Sequence, residues 1–101
     1  MTDLVALEDL DGAPHAPVFP GEEPQTVKLT LEAGGAVAPH QHPDRQIVLY
    51  LVSGHLEVTV GDDSHEIRAG EVVRFDGDQY VSPEAVEDSV ALLVLAERSD
   101  G

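Results

Sequence analysis

Ile47-Val48-Leu49-Tyr50-Leu51-Val52-Ser53-Gly54-His55-Leu56-Glu57-Val58-Thr59-Val60-Gly61-Asp62-Asp63 is the stretch that decides the fold. Its first six residues are apolar at every position, as in a strand buried on both faces, either at the centre of a sheet or against a second subunit. Ser53-Gly54 turns the chain. Leu56, Val58 and Val60 then alternate with His55, Glu57 and Thr59, the period-two pattern of a half-buried strand. Gly61-Asp62-Asp63 reads as a hairpin turn. Working outward, His65–Arg68, Glu71–Phe75 and Val90–Ala96 read as strands separated by Ala69-Gly70 and Asp76-Gly77-Asp78. In the other direction, Pro43-Asp44 ends a strand over Ala36–His42 that Pro39 interrupts. Before it, Thr26–Glu32 places Val27, Leu29 and Leu31 on one face and polar residues on the other. With Val18-Phe19 as a short edge strand, about eight short strands predict an all-β sandwich or barrel. Closure into a small barrel removes exposed edges.

The chain of 101 residues is long enough for one domain with one modest core. Residues 1–23 are broken repeatedly by Gly12, Pro14, Pro17, Pro20 and Gly21 and read as an irregular leader packing on the barrel, which occupies residues 24–98. Leu4, Val5, Leu7 and Leu10 are spaced for one helical turn or for covering a barrel end. Cysteine is absent, which excludes disulfides, thiolate metal sites and cysteine nucleophiles. The longest apolar run falls far short of the ~20 residues a membrane helix requires. The first residues lack the basic and apolar regions of a signal peptide, so a cytoplasmic protein is expected.

The net charge is −15, with Lys28 the only lysine. Such a surface repels nucleic acid and anionic membranes, so neither is an expected partner. The acidic excess is best read as halophilic adaptation to a salt-rich cytoplasm, where screening weakens the mutual repulsion of carboxylates. A generic solubilising surface and an acidic docking face for a basic partner are the alternatives.

One short motif carries chemistry. His40-Gln41-His42 puts two imidazoles two residues apart. On a strand such residues share a face, with Cα atoms roughly 6.5–7 Å apart. At that separation both rings can reach one ion at about 2.0–2.1 Å.

The order of these features resembles the cupin superfamily, the small single-domain jelly-roll β-barrels. The first cupin motif runs glycine, spacer, His-x-His, three or four residues, Glu or Gln, about six residues, then glycine. It is matched by Gly34-Gly35, His40-Gln41-His42, Gln46 and Gly54, and the second motif by Gly61 through Ala69-Gly70-Glu71-Val72-Val73-Arg74-Phe75. The resemblance covers roughly Thr26 to Ala96. It implies a divalent metal ion (iron, manganese, nickel or zinc) held by His40, His42 and Gln46, and a small-molecule ligand in the barrel. It also implies a homodimer, for which the doubly apolar Ile47–Val52 strand supplies surface. Two features depart from the pattern. Seven residues separate Gln46 from Gly54, so Gln46 needs a bulge to point inward. Val81 stands where the second motif offers its histidine, and it cannot ligate.

Other residues supply candidates for ligand contact. Tyr80 falls beside the lost histidine position, Arg74 has a guanidinium suited to a carboxylate, and Tyr50 lies in the apolar run. Each also has a plain structural reading: packing for the tyrosines, a surface ion pair for Arg74. Asp44 is placed to orient an imidazole or simply to form a Pro-Asp turn. His65 shares parity with Ile67 and could face inward as a further ligand, or lie exposed near the Asp62-Asp63 turn. His55 falls on the polar face of its strand. His15, in the Pro-rich leader, either folds over the barrel mouth or belongs to a solvated loop. Two function classes follow. One is a metal-binding cupin, as an enzyme acting on a small organic molecule through oxygen chemistry or Lewis-acid polarisation. The other is a non-catalytic cupin that binds a small ligand or serves as a dimeric structural module.

Overall fold

In a computed structural model describing residues 2–97, two long strands do the work that the sequence pattern divides among shorter ones. The strands are β1 (His15–Pro17), β2 (Gln25–Leu31), β3 (Arg45–Val60), β4 (Asp63–Arg68), β5 (Val72–Asp76) and β6 (Val81–Glu97). All pairings are antiparallel, in the order β1-β2-β6-β3-β4 with β5 on β3. The fold class is therefore all-β, as expected, with six strands among the described residues instead of about eight.

The difference lies at Ser53-Gly54. Instead of ending a strand, these residues form a bulged bend within β3, where its register with β6 shifts between Leu51 and Leu56. Gly54 has φ +94°, and a Cβ there would collide with the Asp88 carbonyl and the Ser89 side chain. A glycine is required because β6 crosses at backbone distance. The Ser89 hydroxyl fills the bulge, accepting from the His55 amide (3.0 Å) and donating to the Glu87 carbonyl (2.8 Å). The bend lets the first half of β3 pair with β5 and the second half with β4, while β6 follows it along both.

The expected strand over Ala36–His42 forms only two isolated bridges, Ala36 to Glu84 and His40 to Val81. Pro39 has no amide to donate, so the ladder cannot run continuously through it. The segment is nevertheless fastened to the start of β6 by Val37 N to Pro83 O (3.0 Å), His40 N to Val81 O (3.1 Å) and Val81 N to His40 O (2.9 Å).

Ahead of β2, Leu7–Asp9 form one 3-10 turn and His15–Pro17 form β1, in place of the edge strand expected at Val18-Phe19. Lys28 Nζ donates to the carbonyls of Leu7 (2.7 Å) and Leu10 (3.0 Å), tying this turn to the outside of β2. Arg98, the last residue assigned to the barrel from sequence, and Met1 lie outside the described residues.

The core is aliphatic. Leu29, Leu49, Leu51, Leu56 and Val58 are the largest fully buried side chains, with Ile67, Val81, Ala85 and Ala91 in the same cluster. Among the described residues no helix is long and apolar enough to cross a membrane.

Candidate functional site

A cavity of about 790 Å3 opens at the end of the barrel bounded by β1, the loop over 19–24, the start of β2 and the segment over 37–42. Its walls include Leu29, Ile47, Leu49, Phe75, Val81, Leu93 and Leu95, all without a polar side-chain atom. That composition follows from strand parity. In β3, Ile47, Leu49 and Leu51 are buried while Gln46 and Tyr50 are exposed. In β6, Leu93 and Leu95 pair across with Leu49 and Ile47 and share their face.

Three imidazoles line the cavity: His15, His40 and His42. The His40 and His42 rings meet edge to face, centroids 4.8 Å apart and planes at 88°. His40 Nδ1 donates to the Ala38 carbonyl at 2.9 Å. This bond fixes the neutral tautomer with its proton on Nδ1, leaving the Nε2 lone pair available. His15 arrives from β1, where it pairs with Leu29 and so stands on the inward face. Burial holds the His15 and His42 pKa values below the ordinary imidazole value. His40 lowers both further, and His42 also feels His15 and Arg45.

The position of His42 depends on a close backbone approach. Its amide donates to the carbonyl of Gly77 (2.8 Å), whose own amide donates to the carbonyl of Arg45 (2.9 Å). Gly77 is buried, and a Cβ on it would run into the His42 and Arg45 carbonyls. Arg45 fastens the rim from the other side, with Nη1 donating to Glu23 Oε1 (2.6 Å) and the Leu95 carbonyl (2.9 Å). Asp44 sits in the turn at φ +66°, its amide donating to Asp78 Oδ1 (3.2 Å).

The remaining residues singled out in the sequence lie elsewhere. Gln46 is exposed on the outer face, opposite Ala96 and Asp76. The bulge it would need is absent from that part of β3, whose register with β6 is unbroken from Arg45 to Leu51. The inward position is therefore taken by Ile47. Leaving six residues ahead of Gly54, as the motif prescribes, also arrives at Ile47, so spacing held the signal. Tyr50 and Arg74 are exposed on the same outer face, Arg74 opposite Val48, and Tyr80 is 58% exposed. None of these four lines the cavity. His65 is exposed and His55 half-buried, 3.7 Å from Glu66, and neither lines it. His15 is the rim residue that the sequence pattern left in a loop; its strand is too short to show alternation.

Whether these residues suit a divalent ion follows from the donor set. His40 offers Nε2 with its other nitrogen held by a carbonyl, the usual arrangement of a metal-binding imidazole. Opposite it, Ile47 and Val81 are hydrocarbon. Among the described residues no group of three or more His, Cys, Asp or Glu side chains is arranged to hold an ion. The pair fits a metal, but the surrounding wall lacks the third protein donor that an open catalytic site ordinarily has.

Comparison with known proteins places this geometry. The family model described as "Cupin domain" matches residues 27–96. No curated protein matches the chain. Among solved structures, TT1209 from Thermus thermophilus superposes with a TM-score of 0.80 at 23% identity, covering 97% of this chain and 100% of that one. KdgF from Halomonas sp. gives 0.77 at 21%, covering 99% and 97%. A protein from Thermotoga maritima described as a predicted oxalate decarboxylase gives 0.75 at 21%, covering 83% and 79%. At these identities the likeness is one of fold.

Proposed function

The chain belongs to the cupin family, and from that premise we propose that it binds a small organic molecule inside the barrel without catalysing a reaction on it. The observation that carries this reading is the wall at Ile47 and Val81, side chains that cannot ligate a metal, continuous with Leu49, Phe75, Leu93 and Leu95 around a cavity of about 790 Å3. Ligand pockets of roughly 300–1,000 Å3 with apolar walls and few polar groups are the usual form of a small-molecule site. Removing a ligand's hydrocarbon from water supplies the driving force, at about 25 cal/mol per Å2. The experiment is titration with Nile red, a neutral dye whose emission brightens and shifts blue in apolar surroundings. Wild-type protein brightens the dye, and Leu93→Trp, which fills the cavity, abolishes the effect while circular dichroism reports an intact sheet. A dye spectrum unchanged by wild-type protein overturns the proposal.

The second reading is a divalent ion at the rim on His40 and His42. The Nδ1–H bond of His40 to Ala38, which leaves Nε2 open beside the His42 ring, favours it. An ion there would polarise an oxygen of a bound molecule. Metal content of the purified protein tests it: stoichiometric metal, lost in His40→Ala/His42→Ala, supports this reading over the first.

The proposal includes a homodimer. Tyr50, Val52 and Val72 are large apolar side chains exposed on the outer face. Tyr50 pairs across with Val72 on one side and Leu92 on the other, so the patch is continuous. A second copy offers the same patch, as two-fold pairing requires. Sedimentation in high salt checks this, and a monomeric profile counts against it.

A further inference from the structure

The cavity's polar groups are few enough to describe the molecule that would fit among them. We infer that the ligand is a neutral, mostly hydrocarbon molecule bearing a hydroxyl, whose O–H donates to Nε2 of His40; this rests on the small-molecule reading above.

The body of the ligand follows from the walls. Leu29, Leu49, Phe75, Leu93 and Val81 present no donor or acceptor, and the backbone groups of β2, β3 and β6 are engaged in the sheet ladders. A polar group placed there would lose its water and gain no partner, which disfavours sugars and polyols.

The head follows from the rim. His40 Nδ1 already donates to Ala38, so in the neutral ring the nitrogen that remains is an acceptor. At His40 it is complemented by a donor and not by a carbonyl or ether oxygen. His15 and His42 each carry one ring N–H when neutral, so an oxygen that both donates and accepts suits the rim. A carboxylate has no donor to give, and it would meet Glu22 and Glu23 at the mouth of a chain carrying a net charge of −15. The Arg45 guanidinium, which would otherwise attract it, is held by Glu23 and by the Leu95 carbonyl. An ammonium could donate, but the carboxylates lining the cavity, Glu22 and Glu23, are exposed at its mouth and Glu23 already pairs with Arg45, so the hydrocarbon wall offers nothing to offset the loss of its hydration. A hydroxyl is the donor that carries no charge into the barrel.

The test uses four probes with one body: 4-propylphenol, propylbenzene, 4-propylbenzoate and 4-propylbenzylammonium. Binding is read from the methyl NMR signals of Leu49 and Leu93. The phenol is expected to bind about fivefold to tenfold more tightly than propylbenzene, the gain of one hydrogen bond. Both charged probes are expected to bind more weakly than the phenol. In His40→Phe the phenol should fall to the affinity of propylbenzene, while propylbenzene still shifts both methyls and so reports an intact cavity. Equal binding of phenol and arene, tighter binding of either charged probe, or a phenol preference that survives His40→Phe overturns the inference and leaves cavity binding standing. If no probe moves the Leu49 or Leu93 methyls, the small-molecule reading itself has failed.

Discussion

The cavity has a rim and a wall, and they differ in what they keep of a metal-binding cupin. The rim holds His40 and His42 in the family's first motif and adds His15 from β1. The wall carries Ile47 and Val81 where the motif's Glu or Gln and second-motif histidine would face inward. Half of a donor set is thus attached to a hydrocarbon pocket. Rim histidines can be solvated and hydrogen-bonded at the mouth, so they would cost little even without a metal. A carboxylate in the wall could not, since an unpaired buried charge is expensive.

A series of substitutions and conditions tests that contrast, in falling order of expected effect. In the wall, Leu49→Ala removes a side chain that is 1% exposed and should cost about 2–5 kcal/mol of stability. At the rim, His15→Ala, on an exposed residue, should change stability by less than about 0.5 kcal/mol. Urea unfolding of both variants gives the difference directly, and equal losses would erase the distinction between rim and wall.

Installing donors in the wall comes next. Ile47→Glu combined with Val81→His should raise affinity for nickel or cobalt by about a hundredfold, as the ligand count rises from two to four. Calorimetry on the double variant and wild type measures this. No gain would mean that these wall positions do not face the rim imidazoles.

Gly77→Ala attacks the link between the two regions. Its methyl group would press on the His42 and Arg45 carbonyls, and the expected loss is about 1–3 kcal/mol. The His42 imidazole resonances should move more than those of His55, which lies away from the cavity. A shift confined to β5 would show that Gly77 does not position the rim.

The smallest effect is that of pH. Partial burial lowers the pKa of His15 and His42 in the folded chain, with His40 lowering both further. Protonation is therefore easier in the unfolded chain. Their contribution to stability is complete above the unfolded value of about 6.5 and is lost as pH falls through the folded values below it. Melting temperature should drop between pH 7 and pH 5, and a His15→Phe/His42→Phe variant should drop less. Net charge makes a separate demand: with −15 on the chain, melting temperature should rise with salt as the screening length falls from about 10 Å at 0.1 M to about 3 Å at 1 M. Full stability in dilute buffer would remove the halophilic reading.

Much of the fold was legible because the alternation of apolar and polar residues in Thr26–Glu32 and Leu56–Val60 marks the inward face of a strand, although in β2 the polar residues Thr26 and Lys28 are covered as well. Glycine positions were legible too, but their meaning was not. Gly54 reads as a turn in sequence and is a bulge in the structure, because only the crossing of Asp88 and Ser89 on β6 explains its positive φ. The expected ligand Gln46 and the ligand-contact candidates Tyr50 and Arg74 all sit on the outer face for one related reason. The placement of a bulge sets parity, and this bulge begins after Leu51, too late to turn Gln46 inward.

Sequence by itself determined that this chain forms an antiparallel β-barrel with paired imidazoles at His40 and His42, because alternation, glycine spacing and the His-x-His separation are properties of neighbouring residues. Tertiary structure alone decided that His15 joins them and that Ile47 stands where Gln46 was expected. Those outcomes depend on strand register across residues far apart in the chain, and a shift of one residue exchanges the inside of a barrel for its outside.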